Sequence, residues 1–260
     1  MNYRVVAKSV PGVVLKENQD AALVRHGMLN NREILLAAVC DGVGSLENSS
    51  EASSRVIGDL NEWFKRYVET GEDNSTKEIL NQLTEVITNS NSELFKLKQK
   101  GKKLGTTVTA VFINAKEKCY VHVGDTRLYG LNSDLKQITR DDTLVEMQVQ
   151  SGIISKKEAL ESNCRHVLLK CVGATENIDI TGNEIKEEFE AFLLCSDGLR
   201  NHLKENEIKL GMCKGAGTEE QDMEKILGDW INTVIARGER DNITGILISK
   251  VLDATEVLDE

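Results

Sequence analysis

Three aspartates of this sequence stand beside apolar runs that are typical of buried strands. They are Asp41, Asp197 and Asp241, next to the runs 35–40, 191–194 and 246–248. Glycine follows the first two and frees the chain to turn there. If the three strands belong to one sheet scaffold, their carboxylates can converge at one edge. Carboxylate oxygens are the ligands that hard divalent cations prefer, so we expect a divalent metal site.

A single Asp-Gly pair is most often an ordinary turn, because both residues are favoured in turns for local reasons. Here, however, several motifs follow one another along nearly the whole chain. They are Asn18-Gln19-Asp20, Asp41-Gly42, Gly105-Thr106-Thr107, Gly124-Asp125-Thr126-Arg127, Thr139-Arg140-Asp141, Ser196-Asp197-Gly198-Leu199 and Asp241-Asn242-Ile243-Thr244. With these motifs the sequence resembles the metal-dependent serine/threonine protein phosphatases (the PPM family, protein phosphatase type 2C), and above all their compact bacterial members.

The resemblance implies a site for two ions of Mn²⁺ or Mg²⁺, both of which bind oxygen ligands without His or Cys. Asp41 would bridge the two ions, the Gly42 carbonyl would bind one, and Asp197 and Asp241 would hold the other. Asp20 would orient a metal-bound water. A hydroxide between the ions would attack the phosphorus of phosphoserine or phosphothreonine directly, without a phosphoenzyme.

Asp125 has two interpretations. In related bacterial enzymes the matching Asp can help to hold a third, weaker ion together with the Asp that matches Asp197, while a capped turn after strand 118–123 is an equally good explanation. Asp141 and Asp142 are expected in a solvated turn. Four histidines are expected at the surface or in the core, and only His166 lies where it could reach the site.

The sequence departs from the family pattern at several positions. Gln19 stands where Glu is usual, which removes one negative charge near the second ion. Asp142 replaces the usual His. Val43 follows Asp41-Gly42, so the His that serves as general acid in many eukaryotic members is absent, as it often is in bacterial ones.

The phosphate-binding cation is predicted to be Lys16. The family usually has an Arg five residues before the Asp that matches Asp20, and here that position is Leu15. A strand residue shifted by one points to the opposite face, so Lys16 needs an irregular backbone to reach the site. Alternatively, Lys16 is an ordinary solvated surface residue, and Arg4 or Arg165 is then the candidate phosphate-binding cation.

Composition restricts the class of protein. The 260 residues carry a net charge of −10, which argues against a general affinity for nucleic acid. No apolar stretch reaches membrane-spanning length and the first residues do not lead into a signal peptide. The six cysteines are scattered without a Cys-x-x-Cys pair, so we expect a reduced, cytoplasmic setting and no zinc site. No linker divides the chain, which predicts a single phosphatase domain over 1–260.

The periodicity predicts helices from Asn48, from Ser75 to about residue 100, near 156–160 and over 219–236. Glu51 and Glu78 are the expected capping partners of Asn48 and Ser75. Strands are expected at 3–8, 21–26, 33–40, 106–113, 118–123, 127–131, 135–138, 178–185, 190–195 and 243–251. Strands in direct succession indicate antiparallel sheets, and the four strands between 106 and 138 are expected to form one meander. By resemblance the fold is α+β, a four-layer α/β/β/α sandwich with a small flap at about 143–170 over the cleft.

Two functions compete at this point. The first is a protein phosphatase acting on phosphoserine or phosphothreonine, with a Ser/Thr kinase as its opposing partner. The second is a catalytically weak relative that binds a phosphorylated or regulatory partner. All three principal metal aspartates are present, and a degenerate relative would be expected to lose at least one, so the enzyme is favoured.

Overall fold

The structure is a computed structural model and describes residues 3–13, 17–43 and 46–251. Within these residues ten strands are present: β1 (Tyr3–Val10), β2 (Ala21–Leu29), β3 (Arg32–Cys40), β4 (Val108–Asn114), β5 (Lys118–Val123), β6 (Arg127–Leu131), β7 (Leu135–Gln137), β8 (Thr181–Glu184), β9 (Ala191–Cys195) and β10 (Ile243–Lys250). The helices are α1 (Ser49–Thr70), α2 (Thr76–Gln99), α3 (Leu144–Gln150), α4 (Lys156–Glu161), α5 (Asp197–Arg200), α6 (Glu205–Gly215) and α7 (Glu220–Ala236).

The described strands form two five-stranded antiparallel sheets. The first has the order β1-β10-β9-β6-β7 and the second the order β2-β3-β4-β5-β8. Residues from both sheets form one buried apolar cluster between them. Helices α1 and α2 cover the outer face of the second sheet, and α6 and α7 cover that of the first. The predicted α/β/β/α sandwich is confirmed.

Strand β3 shows why the apolar runs of this sequence are continuous rather than alternating. The strand is buried on both faces, because one face meets helices and the other meets the first sheet. Leu36 packs in the cluster that contains Trp63 of α1, while Leu35 packs between the sheets with Phe192. Full burial of one such leucine stabilises the fold by about 2 kcal/mol. The run that precedes Asp41 is therefore held rigidly on both sides.

Two details of the predicted elements are wrong. The strand pairs β4–β5 and β6–β7 do not form one continuous meander, because β6 crosses to the first sheet and pairs with β9. Asn48 precedes α1 without a side-chain capping bond, and Glu51 forms an ion pair with Lys102 instead. The capping box predicted at Ser75 and Glu78 is confirmed.

Three helices were not predicted from the sequence: α3, α5 and α6. The first two are short, and a helix of one or two turns gives little periodic signal. Helix α6 has a weak apolar stripe, with its glycines facing Trp230 and Leu247, so much of its buried face carries no side chain. No helix in the described ranges has an apolar stretch long enough to cross a membrane.

Candidate active site

A cleft of about 320 Å³ opens where several strands of the two sheets end. Its lining contains Asp41, Val43, Thr107, Asp125, His166, Leu168, Asp197 and Asp241. Four of the predicted site residues therefore share one cleft. A second cleft of similar volume lies between α1 and α2, and its lining includes none of the described site residues. Chemistry is thus expected at the strand ends.

Asp41, directly after β3, is fixed through its backbone. Its N–H donates to the Thr107 hydroxyl at 2.9 Å, and its carbonyl accepts from the Thr107 N–H at 2.8 Å and the Thr106 hydroxyl at 2.9 Å. The neighbouring Gly42 bridges to Thr106, and a Cβ there would lie 2.7 Å from the Gln19 carbonyl oxygen. Only glycine permits this close approach. The Asp41 side chain is consequently left free for the cleft.

Asp20 lies directly before β2 and is buried, with 8% of its surface exposed. Its segment is held by neutral hydrogen bonds. The Gln19 N–H donates to the Asn242 side-chain oxygen at 2.9 Å, and the Ser53 hydroxyl donates to the Gln19 carbonyl at 2.6 Å. Since Ala21 pairs with Cys40 across the sheet, Asp20 is brought beside Asp41.

Asp197 is the first residue of α5, directly beyond β9. Its Oδ2 accepts from the Asn201 amide at 3.2 Å and lies 3.5 Å from Nδ1 of His166. A Cβ on Gly198 would lie 2.1 Å from the Asn242 carbonyl oxygen, so this turn also requires glycine. Through His166 the segment 143–170 therefore reaches the cleft. His166 is the histidine that the sequence analysis selected as able to reach the site.

Asp241 lies just before β10, which begins at Ile243. Its N–H donates to the Glu239 carboxylate at 2.9 Å, and its own Oδ1 accepts from the Asn242 N–H at 2.7 Å. The Asn242 side chain meanwhile holds the segment of Asp20. The motif Asp241-Asn242 thus links two site aspartates through one structural asparagine.

Asp125 follows Gly124, which has a φ of +106°, in the turn from β5 to β6. Its carboxylate accepts from Arg200 Nη2 at 3.2 Å. It is Asp142, not Asp125, that accepts from the Gly124 N–H, at 3.0 Å. The capped-turn explanation therefore applies to Asp142.

The expectation that Asp141 lies in a solvated turn is wrong. Only 9% of its side chain is exposed, and Arg127 donates to it through two nitrogens, at 2.8 and 2.7 Å. Arg200 lies 3.5 Å from the same carboxylate. Asp142 is also largely buried and pairs with Lys170 at 3.1 Å. These acids are held by ion pairs that span the sequence, which local patterns do not reveal.

The cleft carboxylates differ in their ionisation. Burial, reinforced by the neighbouring carboxylates, raises the pKa of Asp41 well above its ordinary value and also raises that of Asp241. Burial raises the pKa of Asp20 to about 7; the Ser196 and Thr244 hydroxyls oppose this without making hydrogen bonds of good geometry to it. Burial likewise raises the pKa of Asp125 to about 7, against the pull of Arg200.

Asp197 has the opposite shift. Burial acts to raise its pKa, but the hydrogen bond from His166 and the charge of Arg200 outweigh burial, so the pKa is lowered. Asp197 is therefore ionised where its neighbours resist ionisation. A cation placed among these carboxylates would favour ionisation of all of them.

The residues present fit a divalent metal ion by their chemistry. The donors are carboxylate oxygens, and both oxygens of Asp20 and one of Asp197 are buried without a hydrogen-bond partner. Unpartnered buried oxygens are costly, and a bound cation would satisfy them. Among the described residues, no three His, Cys, Asp or Glu side chains already form a closed ligand cage. The carboxylates face a common cleft rather than a single point.

The predicted phosphate-binding cation, Lys16, lies outside the described residues. Its two alternatives are described. Arg4 binds Glu219 and the carbonyl of Thr218, so it is engaged with the loop before α7. Arg165 lies in the segment 143–170, where its Nε donates to His166 at 2.7 Å. Of these two, Arg165 is the one next to a cleft residue.

Sequence reasoning missed the residues that hold the site aspartates in place, namely Ser53, Thr107, Arg127, Arg200 and Asn242. Thr107, Arg127 and Asn242 lie inside recognised motifs, but nothing in the motifs says which partner each one binds. Arg200 directly follows Ser196-Asp197-Gly198-Leu199 and gave no separate signal. Ser53 is a serine on the buried face of an otherwise apolar helix stripe, and that anomaly could have identified it.

The sandwich of two antiparallel sheets, with an acidic cleft at the strand ends, defines a class of metal-dependent hydrolases. The family model for protein phosphatase 2C matches residues 16–247. This chain therefore belongs to the protein phosphatase 2C family and is a phosphoprotein phosphatase of that type.

Individual relatives agree with this assignment. The chain is 28% identical over 246 residues to the serine/threonine phosphatase stp of Listeria monocytogenes, covering 90% of this chain and 94% of the relative. The crystal structure of serine/threonine phosphatase Stp1 from Staphylococcus aureus is 26% identical, with a TM-score of 0.80 over 96% of each chain. The catalytic domain of PstP, crystallised with two manganese ions, is 25% identical with a TM-score of 0.73, over 96% of this chain and 99% of that one.

Proposed function

We propose that this chain hydrolyses phosphoserine and phosphothreonine in proteins with two divalent ions, Mn²⁺ or Mg²⁺, held by Asp41, Gly42, Asp197 and Asp241. The observation that carries this proposal is the convergence of Asp41, Asp197 and Asp241 on one cleft. There the pKa values of Asp41 and Asp241 are raised, and one buried oxygen of Asp197 has no hydrogen-bond partner. The two manganese ions in the structure of PstP support the same stoichiometry. Bound there, the ions would neutralise phosphate charge and activate a water molecule as nucleophile.

The protein's own residues then have separate tasks. Thr106 and Thr107 fix the Asp41 backbone so that its carboxylate faces the cleft. Asp20 is buried beside Asp41, and both of its carboxylate oxygens lack a hydrogen-bond partner in the protein, which suits a group that orients a water molecule. The resemblance offers Asp125 for a third, weaker ion, but its carboxylate is already paired with Arg200.

Substrate recognition is assigned to two places. The segment 143–170 exposes large apolar side chains, namely Met147, Ile153, Leu160, Val167 and Leu169, close to a cleft residue, His166. We assign to this flap a role in choosing protein substrates. Lys16 is proposed to bind the substrate phosphate. Lys16→Ala should then raise KM several-fold with a smaller loss in kcat, because a ground-state contact is lost; unchanged kinetics would exclude this role.

The setting of the enzyme is also inferred. We take 1–260 as one phosphatase domain, since one apolar cluster joins both sheets. Six cysteines without a disulfide favour a reduced, cytoplasmic location. A Ser/Thr kinase would be the opposing partner. The alternative of a non-catalytic binding module is not favoured, because the named relatives are phosphatases.

The test is hydrolysis of a phosphothreonine peptide and of p-nitrophenyl phosphate by protein stripped of metal with a chelator. We expect no turnover until Mn²⁺ or Mg²⁺ is restored, and little action on a matched phosphotyrosine peptide. Full activity after metal removal would contradict the mechanism. Asp229→Asn, which removes an exposed carboxylate on α7, is the matched control for variants of the cleft aspartates.

A further inference from the structure

Arg200 places a buried positive charge directly behind the cleft. It is the last residue of α5, and 12% of its side chain is exposed. Its Nη2 lies 3.2 Å from the Asp125 carboxylate, 3.1 Å from the Asp125 carbonyl and 3.5 Å from the Asp141 carboxylate. One guanidinium therefore serves two acids and one carbonyl.

The same guanidinium is also linked to Asp197. Its Nη1 donates to the Asn201 side-chain oxygen at 3.3 Å, and the Asn201 amide donates to Asp197 Oδ2 at 3.2 Å. The charge of Arg200 also acts on Asp197 directly and favours its ionised form. Arg200 thus lies between the two aspartates that the resemblance assigns to a third ion, Asp125 and Asp197.

Arg200 is not a group for binding substrate. It is absent from the lining of the cleft, and its Nη atoms are already engaged with protein oxygens. Its Nε is buried without a hydrogen-bond partner, so its burial is compensated mainly by the surrounding acids. A guanidinium stays charged at all accessible pH values and, unlike a metal ion, does not dissociate.

We propose that Arg200 is a positioning residue that takes the place of a third metal ion between Asp125 and Asp197, so that this cleft binds two divalent ions. The proposal rests on the proposed function, since it assumes the two-ion site. It assigns Asp125 to an ion pair inside the protein. It also predicts that removing the arginine charge opens a further, weaker metal site at Asp125.

The experiment counts Mn²⁺ ions bound per chain by isothermal titration and equilibrium dialysis. We expect two for the wild type, two for Asp125→Asn, three for Arg200→Gln with the additional ion weakest, and two for the double variant. Arg200→Lys, which keeps a charge, should stay at two. A merely structural arginine would change stability but not this count.

Three ions in the wild type, or a folded Arg200→Gln that still binds two, would overturn the proposal. If Arg200→Gln does not fold, the comparison of the wild type with Asp125→Asn decides. Fewer bound Mn²⁺ ions in Asp125→Asn than in the wild type would show that Asp125 is a ligand and would refute the proposal. Two bound ions in both proteins would support it. Binding of no ion by the wild type would refute the proposed function itself, and this outcome is distinct from binding of three.

Discussion

The two sides of the acidic cleft differ in whether the protein supplies arginine partners for the buried carboxylates. On one side, here called the open side, Asp20, Asp41 and Asp241 form no ion pair with a described Lys or Arg. Neutral hydrogen bonds hold Asp20 and Asp41, and the Asp241 N–H donates to the Glu239 carboxylate. On the other, the paired side, Asp125 and Asp141 are neutralised by arginines. The open side costs stability in the absence of an external cation, whereas the paired side is complete within the protein.

This difference distinguishes the carboxylates that can bind a metal ion from those that hold the structure around the site. Carboxylates without an arginine partner are suited to bind a cation from solution. Carboxylates that are already paired with arginines are suited to fix the turns that carry the site. Proteins tolerate such costly groups mainly where function requires them. Variants on the two sides should therefore fail in different ways.

The largest effect is expected for Asp41→Asn on the open side. We expect kcat on p-nitrophenyl phosphate with saturating Mn²⁺ to fall by roughly 10³-fold or more, as for the loss of a central catalytic group. The melting temperature of the metal-free protein should hold or rise, because one of several repelling carboxylates is removed. Asp229→Asn should change neither quantity. Near wild-type turnover in Asp41→Asn would show that the open side is not the metal site.

Asp141→Asn on the paired side should lower stability strongly and activity only weakly. Removing this carboxylate leaves Arg127 without its two charge-assisted bonds and Arg200 with one acid fewer. Breaking a buried ion pair in this way costs about 3 kcal/mol, which urea unfolding of the metal-free protein would measure. Activity at low temperature, where the protein stays folded, should fall much less than in Asp41→Asn. A variant as stable as the wild type would remove the distinction between the sides.

Three of the cleft aspartates could be predicted from the sequence, whereas the ion pairs of the paired side could not. Asp41, Asp197 and Asp241 could be predicted because each adjoins a strand whose apolar run is long and buried on both faces. The antiparallel sheets and the helices that cover them could likewise be predicted, since strand succession and helix stripes are local signals, whereas the four-layer arrangement was implied by the family resemblance. Arg200 and Asp141 could not be paired, because 59 residues separate them and a local pattern holds no information on such contacts.

The pH dependence of stability should distinguish the sides further. The pKa of Asp20 is about 7 in the folded protein and near 4 when unfolded, so between these values the folded state holds a proton that the unfolded state has lost. The stability of the metal-free protein should therefore fall as pH rises through this window. Asp20→Asn removes that contribution. Its advantage over the wild type should be small at pH 4 and reach about 3 kcal/mol at pH 7.

Chemical unfolding of metal-free wild type and Asp20→Asn at several pH values between 4 and 7 would measure this difference. The other carboxylates are common to both proteins, so the difference reports Asp20 together with its charge interactions with them. Parallel curves, with a constant gap at every pH, would mean that Asp20 is ionised like an exposed acid. In that case its proposed part in orienting a water molecule would lose its support.

The smallest effect concerns the neutral hydrogen bonds that hold the open side. The Ser53 hydroxyl is buried and donates to the Gln19 carbonyl at 2.6 Å, one residue before Asp20. Ser53→Ala should lower stability by about 1 kcal/mol, the usual net value of one such bond, and reduce kcat a few-fold through displacement of Asp20. Ser92→Ala on α2 is the matched control, because the Ser92 hydroxyl bonds only within its own helix. If both variants retain full activity, Asp20 is held by Asn242 without help from α1.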